Sequence, residues 1–420
     1  MNKLQSILAG VIALAAATTA SAQTVLYVAG ANGDRATTNT AIPKLLTGTL
    51  TFKGTNTDPT RANFAIWEGG SFNGTPVTVK AAYIGATGGI AAVAGSLPVK
   101  FLPNTATAGT NNPDPTSGTN PNDPQVPDIA MSTNFVSSSP FIGNYQGHFY
   151  EDLSQQDQIV SVVGLKWIAS KGFPADNITP QFAQYLWANG TAPLSLLTGN
   201  LADEKKIVFA TGRNLDAGQR FAAQAEAGIG IYATVKQFKP TVSGAAAGVG
   251  GFVTGGTVDT HVLWPVETFS NVSSQFPGNS GATTGANLAP LLTVTLNAGA
   301  YKSNGTANGG NAFANATAGY YIAYLTPQDA DQIAIPNGAV ELKWNGVPYS
   351  AENIKQGKYT FWVYEHLFYR AATTGIQKDF GDALATQIKT VDAEVAGIKL
   401  DANFRVSRDQ EGGLVTNRFF

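Results

Sequence analysis

The stretch "ATGRNLDAGQRFAAQAEAG", residues 210–228, holds the most concentrated chemistry in the chain. A glycine-bearing turn feeds a helical pattern, with Arg213 and Arg220 beside the junction. Free amides and the positive end of a helix dipole make such a junction a natural anion site. The same residues support an opposite reading. Asp216 stands where an N-cap belongs, and Gln219 completes a capping-box spacing. Asp216 and Arg220 also lie i,i+4 apart, a spacing at which the acid can pair with the base. Either the helix start awaits an anion, or its own carboxylate has capped it.

Catalytic chemistry has little support. The three histidines, His148, His261 and His366, are far apart, and cysteine is absent. No nucleophile elbow, Walker loop or dinucleotide fingerprint appears, so the chain reads as a non-enzyme without cofactor or metal. Asp114, Asp123 and Asp128 border a Pro/Asn-rich loop without a calcium-binding ladder and read as solvated loop carboxylates. Trp167, Trp187 and the "YTFWVYEHLFY" cluster read as packing aromatics.

The elements that must position these residues alternate. "TVLYVAG" (24–30) reads as a strand followed by a loop and a helix, and "PVTVKAAYIGATGGIAAVAG" (76–95) repeats that order. Residues 103–127 have too little apolar content to fold alone and read as a long exposed loop. "DIAMST" (128–133) reads as a buried strand and "QIVSVVGLKWIAS" as another. "TPQFAQYLWANG" reads as a short amphipathic helix, and "KKIVFATGRN" as strand and turn. Gly/Asn-rich insertions occupy roughly 241–257 and 297–317, and helical patterns around 362–372 and 376–395 close the chain. This alternation predicts an α/β protein with mixed, mostly parallel sheets and flanking helices. Ligands of such sheets sit at loops leaving the strands' carboxyl ends. Four of these carry polar residues: 31–40, 85–89, 132–135 and 211–220.

The chain has 420 residues, 43% hydrophobic and only 13% charged, with net charge −2. That length suggests two lobes, and that charge excludes a global pull toward nucleic acid or anionic membrane. Any anion site must be local. Lys3, the apolar run "ILAGVIALAAA" and "ASA" at 20–22 read as a cleaved signal peptide, residues 1–22. This predicts a secreted protein, periplasmic or extracellular, without membrane insertion.

At the four loops the chain resembles the phosphate-binding proteins of bacterial ABC importers, which have a two-lobed type II periplasmic binding fold. The segments carrying the likeness are "AGANGDRATT" (29–38), "GATGG" (85–89), "DIAMST" (128–133) and "RNLDAGQ" (213–219). "GNSGATTGA" (278–286) and "NGVPYSAENIKQGKYTFWVYEHLFY" add to it. The resemblance implies lobe one at 24–165 plus 327–420, lobe two at 166–326, and 103–127 as an insertion. It implies inorganic phosphate or a related oxyanion as ligand and an ABC permease as partner. It implies anion contacts from Asn32, Arg35, Thr87, Ser132, Thr133, Arg213, Gly218 and Gln219. The family's proton-accepting Asp falls on Thr133, and the Ser and Thr of its SGT fall on Ala217 and Gln219. A donor-only site of that kind suits a fully ionised anion such as sulfate. The competing expectation is an extracellular matrix, adhesion or filament protein that reuses the fold with a degenerate site.

Overall fold

The computed structural model describes residues 23–109, 123–231, 233–243, 255–264, 281–296 and 315–419. The expected signal peptide, most of the expected 103–127 insertion and much of both Gly/Asn-rich segments lie outside them.

Two mixed sheets flanked by helices make the molecule an α/β protein, the class the alternation predicts. The first sheet contains β1 (Thr24–Gly30), β2 (Thr51–Gly54), β3 (Phe64–Phe72), β4 (Thr75–Ala82), β5 (Ile129–Ser132), β6 (Gln158–Gly164) and, from much later, β13 (Trp362–Phe368). Its order is β6-β13-β5-β1-β4-β3-β2. The second contains β7 (Lys166–Ala169), β8 (Asn177–Ile178), β9 (Thr191–Pro193), β10 (Lys206–Ala210), β11 (Ala318–Leu325) and β12 (Val340–Trp344). Its order is β8-β12-β7-β11-β10-β9.

Pairing departs from the mostly parallel expectation. Parallel pairing occupies the centre of the first sheet, where β1 lies between β4 and β5. The late strand β13 enters antiparallel to both β5 and β6, and β2, β3 and β4 form a meander. In the second sheet only β10–β11 and β8–β12 are parallel. Parallel pairs need long crossovers, which in the first sheet contain α1 (Arg35–Ala41) and α2 (Ala86–Ala94), whereas a tight turn suffices between antiparallel β3 and β4.

The run "QIVSVVGLKWIAS" is two strands in different sheets, with Leu165 as the joint. With lobe one taken as the part built on the first sheet and lobe two as the part built on the second, the chain returns between Trp344 of β12 and Trp362 of β13. The residues at 362–368, expected to be helical, form β13, which is buried along its whole length. Two core clusters cover the faces of the first sheet, and one cluster of the second continues through Leu165 into Trp362, Val363 and Tyr364. Trp167 stacks on Phe361 at 4.7 Å and on Trp344 at 5.3 Å, so the crossing is packed with aromatics as the sequence predicts.

Local chemistry explains the helices. α3 (Pro180–Asn189) starts with Thr179 accepting the Phe182 amide, has Pro180 in its first turn and ends on left-handed Gly190. α5 (Gly375–Gln387) packs on the first sheet through Phe380 and Leu384. Residues Asp123–Gln125, placed by sequence in the exposed loop, form a strand against Val99–Phe101, and Asp123 reaches the buried Lys80 ammonium at 2.7 Å.

Candidate functional site

The four polar loops converge. Three leave lobe one at the carboxyl ends of β1, β4 and β5; the fourth leaves β10 of lobe two and starts α4 (Gly218–Glu226). Together they line one cleft of about 160 Å³, open mouth included. The first loop contributes Asn32 and Gly33, the second Gly85 and Ala86, the third Thr133, and the fourth Arg213, Gly218 and Gln219. The space admits about one water.

Arg213 is 1% exposed. Its Nε donates to the Ala282 carbonyl at 3.0 Å and its Nη1 to Gln219 Oε1 at 2.8 Å. Its Nη2 donates to the Thr283 carbonyl at 2.9 Å and, at 3.5 Å, to Asn32 Oδ1 across the cleft. Burial lowers its pKa to about 10, with Asp329, Tyr324 and Asp216 opposing, so it stays a cation at neutral pH. Asp329 also heads the charges supporting Arg35, so one internal carboxylate serves both guanidinium groups.

The helix start is not self-capped by Asp216. The N-cap of α4 is Ala217, not Asp216, and no side chain caps it. Gln219 therefore sits at the second helical position, one short of the capping-box place, and its amide oxygen serves Arg213. Asp216 is buried and accepts from Asn214 Nδ2 at 3.4 Å.

The other predicted residues divide. Thr133 lies on the cleft wall, and Asn32 Nδ2 is anchored to the Tyr83 carbonyl at 2.9 Å. Thr87 is fully buried, and its hydroxyl donates across the lobes to the Leu215 carbonyl at 3.2 Å. Ser132 folds onto its own loop, donating to the Asn134 carbonyl and accepting the Asn134 amide. Arg35 points elsewhere: Nε donates to the Thr60 carbonyl at 3.1 Å and Nη1 to Asn63 Oδ1 at 2.6 Å.

Two glycines let the lobes approach closely, Gly85 against backbone and Gly218 against side chains. A Cβ on Gly85 (φ +112°) would lie 2.2 Å from the Asp216 carbonyl oxygen. One on Gly218 would lie 2.0 Å from Asn134 Oδ1. Asn134, which sequence reasoning passed over, donates from Nδ2 to the Gly218 carbonyl at 3.5 Å. Its only sequence signal is its place after "MST" at the end of a buried strand.

Beside the first loop lies a buried acid pair. Asp34 precedes α1 without capping it, and neither carboxylate oxygen has a hydrogen-bond partner. Burial, then the charge of Glu365 on β13, pushes its carboxyl well above the usual range, with Arg35 opposing. Glu365 accepts from the Ser161 hydroxyl, and burial raises its pKa to about 7.

Histidines and acids behave as structural groups. His148 Nε2 meets the Gly95 carbonyl at 2.8 Å, and His366 Nδ1 meets Asp157 at 2.8 Å. Asp128 accepts the Tyr27 amide. Among the described residues no group of three His, Asp or Glu side chains could hold a metal, and no helix is long and apolar enough to cross a membrane.

No family model matches the chain, and no curated protein matches it. Solved structures do. A putative phosphate ABC transporter substrate-binding protein with bound phosphate, from Clostridium perfringens, matches at TM-score 0.41 and 13% identity, covering 90% of this chain and 100% of that one. An ABC-type phosphate transport receptor from Vibrio cholerae matches at TM-score 0.44 and 10% identity, covering 89% and 99%. A possible phosphate binding protein from Planctomyces limnophilus matches at TM-score 0.36 and 9% identity, covering 87% and 98%. The likeness is one of fold.

Proposed function

We propose that this chain is an extracytoplasmic structural protein that uses a two-lobed, binding-type fold with its inter-lobe cleft closed by its own side chains. One observation carries the reading: the Arg213 guanidinium is already held by Gln219, Asn32 and the carbonyls of Ala282 and Thr283. A carrier keeps such donors for its guest. Here Gln219 takes the place of a ligand oxygen, Asp329 supplies the counter-charge, and Gly85 and Gly218 bring the lobes into direct contact. Low charge content and the Gly/Asn/Thr-rich insertions suit a matrix or filament setting.

A second reading, capture of phosphate or a similar oxyanion for a permease, has its own support. The cleft is lined by donors and by the start of α4, with no carboxylate on its wall. That chemistry favours a fully ionised anion such as sulfate once Gln219 swings away. Calorimetric titration and thermal denaturation with phosphate and sulfate separate the two. The closed-cleft reading expects no binding heat and no rise in melting temperature. An anion that binds only the folded state would add about 2.7 kcal/mol at a hundred times its Kd. Such stabilisation in the wild type, abolished by Arg213→Ala, would establish the carrier reading instead.

A further inference from the structure

The last part of the chain lies across the seam between the lobes and holds buried charges there. Ile398 exchanges backbone hydrogen bonds with Val162 of edge strand β6, at 2.7 and 3.1 Å. Phe404 meets Trp362 edge to face at 5.6 Å, where β13 leaves the crossing. Arg408, 4% exposed, lies over the Trp362 ring at 4.1 Å. Its Nη1 donates to Glu226 at the end of α4 (3.2 Å), and its Nη2 to the Thr360 carbonyl in the crossing (2.6 Å). Glu226 also accepts from Trp344 Nε1 at 3.1 Å and from the Thr360 hydroxyl.

Three residues on, the chain reaches the other lobe. Glu411, 5% exposed, accepts the Phe135 amide at 2.9 Å, in the loop that carries Thr133. Gly412 follows in the left-handed region (φ +63°), where a Cβ would stand 2.4 Å from the carbonyl carbon of Ala225 on α4. Residues 408–412 therefore touch α4 of lobe two, the crossing, and the third cleft loop of lobe one. The opposite end of α4 carries Gly218 and Gln219, so this segment grips the far end of one cleft wall and the base of the other.

We propose that residues 398–413 form a strap that holds the two lobes together, so that the cleft opens only when the strap lifts from α4. Buried charge-assisted contacts and a backbone approach that only glycine permits make the attachment all-or-none. The strap acts on the hinge whatever the cleft contains, so its test is independent of anion binding.

Hydrogen exchange read by mass spectrometry on the full chain tests it, comparing wild type with Gly412→Val and Arg408→Lys. The expected result is exchange about tenfold faster at 131–138 and 213–226 in Gly412→Val, with 64–82 and 318–325 unchanged. Arg408→Lys keeps the charge but loses the forked contact, and should give a smaller rise at the same two segments. Unchanged exchange at both segments, or an equal rise throughout both lobes, would overturn the strap. If Gly412→Val fails to fold, Arg408→Lys decides by the same criteria.

Discussion

Two buried polar groupings flank the first cleft loop and handle charge in opposite ways. Around Arg213 each of the three guanidinium nitrogens meets a protein oxygen, and Asp329 and Asp216 offset the charge. Around Asp34 and Glu365, two buried carboxyl groups lie within electrostatic reach of each other, and three of their four oxygens have no hydrogen-bond partner. In the first arrangement Arg213 stays a cation at neutral pH. The second is stable only while protons remain on it. Burial alone therefore does not make a site. What matters is whether neighbouring groups complete the chemistry, and the cleft is the region they complete.

The largest test of this contrast removes the completed centre. Arg213→Met should leave Gln219 and the Ala282 and Thr283 carbonyls without their donor, and lower stability by about 3–5 kcal/mol in urea denaturation. A loss under about 1 kcal/mol would mean the guanidinium contributes little to lobe closure.

The acid pair should show itself in pH dependence. Glu365 has its folded pKa raised from 4.5 to about 7, so its contribution is fully present below the unfolded value and is lost as pH rises through that window. Glu365→Gln removes that titration. Wild type and variant should match near the low end of the window, with the variant more stable by on the order of 2 kcal/mol above the high end. Arg35, Ser161 and Tyr83 face the pair and remain in the variant. Melting curves that stay parallel across the window would remove the contrast between the two groupings.

The smallest effect concerns one inter-lobe bond. Thr87→Val preserves the shape but removes the hydroxyl that meets Leu215, and should cost about 1 kcal/mol. A doubled loss would place Thr87 among the main ties between the lobes.

Much of this was legible in the sequence because it depends on local rules. Thr179, Pro180 and Gly190 mark both ends of α3, and the polar loops after β1, β4, β5 and β10 do meet at one cleft. Misreadings arose where tertiary context replaced those rules. β13 is buried on both faces, so it lacks the alternation that identifies a strand. Asp216 has the chemistry of a cap, but the helix begins after Ala217. Arg35 has the charge for an anion contact, yet Thr60 and Asn63 claim it from a turn that sequence spacing does not reveal. The strap left no motif, because Arg408 meets Glu226, and Glu411 meets Phe135, only after folding.

The short ladder joining Val99–Phe101 to Asp123–Gln125, with Lys80 bound to both Asp123 and the Leu102 carbonyl, has a consequence for variation. It brings Phe101 and Asp123 together beneath a buried ammonium, and Leu102 and Ala106 just beyond it are part of the core, so both ends of the segment are anchored in lobe one. Residues inserted between those anchored ends should therefore leave the ladder and the two Lys80 contacts in place. The stem thus fixes where that segment leaves the fold and where it rejoins it.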